Sequence, residues 1–71
     1  MKITDAKSYG EAIRKRRKEK GYTQMDLSDF SGLSVSFLSD LENGKETCEF
    51  GKAIYVANIL GMDILLKGRG E

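Results

Sequence analysis

The chain has 71 residues, with 12 Lys and Arg, 11 Asp and Glu, no proline, no histidine and a single cysteine, Cys48. A chain this short forms one domain with a small core, so we expect a partner that buries additional surface. Without histidine and with one cysteine, it has no intrachain disulfide, no Cys/His zinc site and no histidine-dependent nucleophile, and we expect no enzyme activity, metal or cofactor.

The missing proline and the many helix-forming residues favour an all-α domain. The N-terminal segment MKITDAKSYGEAI lacks a long apolar core, so it does not have the pattern of a signal peptide. The most apolar segment, residues 53–66, is too short to span a bilayer. We therefore expect a cytoplasmic protein with no membrane partner.

The first predicted helix carries most of the basic residues. Ser8 and Glu11 have the S-x-x-E spacing of a capping box, and Gly21 stands where the helix would end. Residues 1–22 contain eight Lys and Arg against three acids, whereas residues 23–71 contain four against eight. A run such as RKRRKEK is most often a solvated face, but it also suits a polyanion.

Two short helices follow, joined by the tetrapeptide SGLS. Their predicted boundaries rest on helix-start and helix-stop residues: Thr23, Asp26 and Gly32 for a helix over about 24–31, and Ser34 and Gly44 for one over about 35–43. Two short helices joined by a turn with glycine form a helix-turn-helix, whose second helix can enter the major groove of DNA.

A fourth helix is predicted over about 50–60, ending at Gly61. At helical spacing its core stripe consists of Phe50, Ala53, Ile54, Ala57 and Leu60. The last segment, MDILLK over about 62–67, alternates and is predicted to be a strand, for which a second copy of the chain would supply the ladder partner. Apolar residues beyond the needs of the core predict a dimer interface of Tyr55, Ile59, Met62, Ile64, Leu65 and Leu66.

One internal ion pair is also predicted. Arg17 continues the inward stripe of the first helix, and a partly buried arginine needs a carboxylate. Glu42 lies beside the inward-facing Leu38 and Leu41 of the third helix. We therefore expect Arg17 and Glu42 to form a structural pair that joins the two helices.

The segment YTQMDLSDFSGLSVSFLSDLENGK resembles the Cro/C1-type (XRE) helix-turn-helix family, with its T-Q-x-x-L, G-x-S and apolar-S-x-apolar-E-x-G pattern, over about residues 9–61. The resemblance implies a four- to five-helix DNA-binding domain and the same Arg17–Glu42 pair. The N-terminal segment MKITDAKSYGEAIRKRRKEKGYTQ and the C-terminal third more narrowly resemble HipB-like antitoxins. Those are dimers that repress their own operon, bind a HipA-type serine/threonine kinase toxin and pair a C-terminal strand across the dimer.

By this resemblance, the second helix of the motif reads a palindromic double-stranded DNA operator. The DNA-binding residues implied are Thr23, Gln24, Ser34, Val35, Ser36, Phe37, Ser39, Asp40, Asn43 and Lys45. In this set, Thr23 and Ser34 cap helices, Gln24 contacts a phosphate and braces the third helix, and Asn43 and Lys45 contact phosphates. Ser28 and Ser31 replace the alanines usual in the family, and both are small enough for close helix packing.

The reading face departs from the family pattern. Many members have Gln, Arg or Lys where this chain has Val35, Ser36 and Asp40, so few bidentate base contacts are expected. Sequence preference would then come partly from DNA shape. The alternatives are a protein-interaction module, or a stand-alone XRE-type regulator with weak readout and no toxin partner.

Overall fold

Four α-helices make up the fold. The computed structural model describes residues 2–70, which contain α1 (Ala6–Glu19), α2 (Gln24–Ser31), α3 (Val35–Glu42) and α4 (Phe50–Ile59) and no strand. The all-α class is thus confirmed, with four helices of the four to five expected. Within the same residues, no helix combines the length and apolarity needed to cross a membrane.

The start of α1 corrects the sequence prediction. Asp5, not Ser8, is the N-cap: the Asp5 carboxylate accepts the Ser8 N–H at 2.8 Å, and the Ser8 hydroxyl accepts the Asp5 N–H at 3.1 Å. A D-x-x-S capping box therefore starts the helix three residues before the predicted S-x-x-E. The backbone hydrogen bond from Ser8 holds the pKa of the Asp5 carboxyl below its ordinary value.

All four helices contribute to one core, whose buried apolar members are Ile13, Leu27, Leu38, Leu41, Ala53, Val56, Ala57 and Leu60. The predicted stripe of α4 was partly wrong. Val56 is fully buried, whereas Phe50 is 77% exposed. Spacings of three and four residues join Ala53 to Val56 and Ala57, and this stripe leaves Phe50 on the edge of the first turn.

The helices α1, α3 and α4 each end in the same type of glycine turn. After α4, Gly61 N–H donates to Asn58 O at 3.0 Å and Met62 N–H donates to Ala57 O at 2.9 Å. This is the Schellman motif, which directs the residue after the glycine back onto the helix. Met62 consequently packs, half-buried, against the protein's own core. Residues 62–67 have no regular secondary structure in the single chain, because no helix offers a ladder edge.

Candidate nucleic-acid interface

The turn between α2 and α3 is fixed by a glycine and two serines. Gly32 ends α2 in the left-handed conformation, with φ 75°. The Ser28 hydroxyl donates to Leu33 O at 2.6 Å, and the Ser31 hydroxyl accepts the Leu33 N–H at 3.1 Å. Both serines therefore satisfy the backbone of the turn. The sequence pattern indicated only that they were small.

The inner side of α3 is attached to α1 by the predicted ion pair. Arg17 Nε lies 2.7 Å from Glu42 Oε2 and Arg17 Nη2 lies 2.9 Å from Glu42 Oε1. Arg17 Nη1 also donates to Tyr22 O at 2.8 Å, and Gln24 Nε2 donates to Glu42 Oε1 at 3.2 Å. These bonds join the end of α1, the start of α2 and the end of α3 at one buried point.

A close backbone contact between α1 and α3 accompanies this network. Gly10 lies in the middle of α1, and a Cβ atom there would overlap the carbonyl oxygens of Leu41 and Glu42, the latter at 2.7 Å. Only glycine fits this contact without a shift of one helix. The structure therefore explains a glycine that helix propensity alone disfavours.

The starts of α2 and α3 are capped as predicted. Thr23 Oγ1 accepts the Asp26 N–H at 3.0 Å, and the Asp26 carboxylate accepts the Thr23 N–H at 2.9 Å. Ser34 Oγ accepts the Phe37 N–H at 3.0 Å. A cap of this kind satisfies one of the first four N–H groups of a helix, and the remaining groups attract anions such as phosphate.

The outer side of α3 is small and polar. Ser36 and Asn43 are exposed, and Ser39 and Asp40 are half-exposed. Asn43 Nδ2 donates to Ser39 Oγ at 3.4 Å, and Lys45 Nζ lies 3.4 Å from Asp40 Oδ2. The structure thus brings the predicted outward residues of α3 together with Asn43 and Lys45 on one surface.

Val35 and Phe37 lie at the sides of α3 rather than on its outer surface. Both are half-buried, and Phe37 packs against the core. Lys52 of α4 places its Nζ 5.9 Å from the centre of the Phe37 ring, within reach of a cation–π interaction. Lys52 is a basic group beside α3 that the sequence analysis missed, because nothing in the sequence pairs residues 37 and 52.

The residues predicted for the dimer interface fall into two groups. Ile64, Leu65 and Leu66 are 41%, 87% and 98% exposed and, together with the half-buried Met62, line an open apolar groove of about 950 Å³ between α1, α4 and the C-terminal segment. Phe50 and Ile3, which the sequence analysis did not assign to an interface, line the same groove.

Tyr55 and Ile59 make up the second group and do not line this groove. Tyr55 is 44% exposed on another side of α4, whereas Ile59 packs half-buried against the core. We refer to Ile3, Phe50, Ile64, Leu65 and Leu66 as the C-terminal apolar surface. Its members are large, exposed side chains in one neighbourhood, as at surfaces that associate.

A short second helix packed across a first, joined by a glycine turn and exposing a polar outer side, defines the helix-turn-helix class. The helix-turn-helix family model HTH_3 matches residues 13–65, and the chain belongs to this family, of the Cro/C1 (XRE) type.

Its relatives include several regulators. The HTH-type transcriptional regulator y4mF of Sinorhizobium fredii is 37% identical over 62 residues, which are 87% of this chain and 82% of that protein. The prophage-derived regulator YonR of Bacillus subtilis is also 37% identical over 62 residues, 84% of this chain and 57% of its own length.

Solved structures of HipB have the same fold. The chain superposes with a TM-score of 0.87 and 20% identity on HipB in a complex with an O4 20mer, covering 97% of each chain. It superposes equally well on a chain of a HipA–HipB–O2–O3 complex, again with 97% of both chains covered.

Proposed function

We propose that this protein is a transcriptional repressor that binds double-stranded DNA through α3. The observation that supports this most directly is the asymmetry of α3. Its inner side is fixed by Arg17, Gln24 and the core, while its outer side carries small polar groups that meet few groups of their own chain. A rigid short helix with a free polar side is what entry into a major groove requires.

The charge distribution supports the same proposal. Arg14, Lys15 and Lys18 of α1 are exposed, and they belong to the basic N-terminal third of a chain whose total charge is only +1. Such clustered basic groups attract polyanions and accelerate association with DNA. The few base-reading groups on α3 leave part of the sequence preference to DNA shape.

The repressor we propose is a homodimer on a palindromic operator. The C-terminal apolar surface is too exposed for a lone domain, and residues 63–67 have unpaired backbone groups that a second copy would satisfy in a two-stranded ladder. In a dimer of this kind, the separation of the two α3 helices sets the half-site spacing.

An autoregulating antitoxin is the finer form of this proposal. The likeness to HipB in a complex with HipA supports a HipA-type kinase toxin as partner. The competing candidate, a stand-alone regulator or interaction module, is favoured by the lack of Arg, Lys and Gln on the outer side of α3. Co-purification with the product of an adjacent kinase-like gene supports the antitoxin, and its absence supports the stand-alone form.

A band-shift experiment tests DNA binding. The full chain should retard a duplex that spans the promoter of its own gene, and a scrambled duplex of equal composition should compete poorly. The logarithm of the binding constant should fall with log salt by about 0.9 per phosphate contacted. A folded protein that shifts both duplexes equally, or neither, would contradict the proposal.

Two matched variants sharpen this experiment. Ser36→Glu adds a carboxylate to the exposed outer side of α3, whereas Asn58→Glu adds one to an exposed position of α4. Both should fold, because neither side chain is buried. Only Ser36→Glu should abolish the specific shift, and equal losses in both variants would contradict the assignment of α3.

A further inference from the structure

Asp40 is the only charged residue that α3 presents outward. The helix contains two carboxylates, of which Glu42 is buried with Arg17, whereas the Asp40 side chain is 45% exposed. Its neighbours on the outer side, Ser36 and Ser39, are neutral. Any groove that accepts α3 must therefore accommodate one carboxylate in the last turn of the helix.

The backbone holds Lys45 beside this carboxylate. Gly44 N–H donates to Leu41 O at 3.1 Å and Lys45 N–H donates to Asp40 O at 3.0 Å, which completes a Schellman motif. In this motif the residue after the glycine usually makes an apolar contact with the residue that accepts its N–H. At the end of α3, the ion pair between Lys45 Nζ and Asp40 Oδ2, at 3.4 Å, takes the place of that apolar contact.

The glycine of this turn is fixed in two ways. Gly44 has a φ of 81°, and a Cβ atom there would lie 2.7 Å from the Cα of Lys7 in α1. The turn thus cannot accept a larger residue without moving α1. The proximity of Lys45 to Asp40 follows from the backbone, although the pair itself is exposed and adds little stability.

The two side chains together present an acceptor next to a donor. In the major groove, a C·G pair presents the complementary arrangement, the N4 amino donor of cytosine beside the O6 acceptor of guanine. An A·T pair also offers a donor beside an acceptor, adenine N6 beside thymine O4, but the adenine N7 on the other side of N6 is a second acceptor that repels a carboxylate. Guanine and thymine have no major-groove donor for Asp40.

We infer that Asp40 and Lys45 act as one unit that selects a C·G base pair, with Asp40 accepting from cytosine N4 and Lys45 donating to guanine. This inference rests on the proposed binding of DNA by α3. It gives Lys45 a role in base selection in place of the phosphate contact predicted from the family resemblance. Lys45 also offsets the charge that would otherwise repel Asp40 from the phosphates.

Selection from a random pool tests this unit. The full chain is incubated with duplexes that carry a randomised segment of about two helical turns, the length that two half-sites span. Bound duplexes are sequenced, and binding constants are then measured with each base pair at each position. We expect a position in each half-site where C·G is preferred by about fivefold or more.

Three variants test which residues select the base pair at that position. Asp40→Asn should move the preference at this position from C·G to A·T, because an asparagine amide pairs with adenine N6 and N7. Lys45→Met should lower the C·G preference at the same position. The control Glu46→Gln removes a neighbouring exposed carboxylate and should strengthen binding to every duplex without changing any preference.

Several outcomes would overturn the inference. One is an Asp40→Asn variant whose preferences equal those of the wild type. Another is a Lys45→Met variant that weakens all duplexes equally and keeps the C·G preference. Sequence-specific binding with no position that prefers C·G would overturn the inference alone, whereas binding without any base preference, or no binding to any duplex, would overturn the proposed function as well.

Discussion

Arg17 and Glu42 join α1 to α3 through two hydrogen bonds of 2.7 and 2.9 Å, and both residues are more than nine-tenths buried. The pair lies on the buried side of α3, the helix that we propose to enter DNA. Because Gln24 also donates to Glu42, the same carboxylate fixes the start of α2. The positions of the two motif helices therefore depend on one buried acid.

Loss of one partner should be costly. Arg17→Met leaves the Glu42 carboxylate buried without its guanidinium and should lower the free energy of unfolding by about 3–5 kcal/mol. The double variant Arg17→Met/Glu42→Leu removes both charges and should recover part of this loss. Urea unfolding followed by circular dichroism measures these two variants and the single variant Glu42→Leu. A double variant whose loss of stability equals the sum of the two single losses would argue against a coupled pair.

Gly10→Ala should destabilise the protein although alanine is the better helix former. The propensity gain is about 1 kcal/mol, but the new methyl group overlaps the Leu41 and Glu42 carbonyl oxygens. Overpacking against backbone costs about 1–3 kcal/mol, so a net loss is expected. Gly51→Ala is the control, since its Cβ would meet no backbone and only the side chain of Glu49, whose nearest atom is at 3.0 Å. Thermal unfolding measures the melting temperature of each variant. Equal changes in the two variants would refute the close contact at Gly10.

Ser36→Arg should change the preferred operator. An arginine on the outer side of α3 can make a bidentate contact with guanine, worth about 1–3 kcal/mol of discrimination. Asn58→Arg adds the same charge on α4 and should strengthen binding to all duplexes without a new preference. Competition among duplexes with single base changes distinguishes the two. Identical preference profiles in both variants would show that residue 36 does not approach a base.

Leu65→Asp combined with Leu66→Asp should weaken the dimer and leave the fold of the protomer intact. The side chains are 87% and 98% exposed in the single chain, so the protomer loses almost no packing. Sedimentation should show a shift toward monomer, whereas Thr47→Asp, at an exposed position outside the groove, should not change it. Deletion of residues 62–71 should act in the same direction. An unchanged association constant would show that the C-terminal apolar surface is not part of the dimer interface.

Features set by neighbours in the sequence could be predicted. The caps at Thr23 and Ser34 and the glycine stops are decided within four or five residues, and the structure has them. At the start of α1, two overlapping capping boxes were possible, and the choice of Asp5 adds most of a turn of helix. Local sequence does not rank such alternatives, because each box satisfies two N–H groups at its own helix start.

Features set by the packing of distant residues were harder to predict. The burial of Val56 in place of Phe50 depends on a small rotation of α4 against the core, which a helical repeat does not fix. The Arg17–Glu42 pair was predictable because a buried charge demands a partner. No such demand identifies the exposed pair of Asp40 and Lys45, which depends on the turn at Gly44.

The split between the inner and outer sides of α3 has a consequence for engineering. Ser36, Ser39 and Asn43 contact little beyond one another, so their replacement as a set should leave the scaffold beneath them undisturbed. Substitutions at these outer positions of α3 could therefore change the DNA sequence that the protein recognises without changing its fold. Gly10 and Gly44 are the exceptions around the helix, because there the neighbouring backbone leaves no room for even one extra carbon atom.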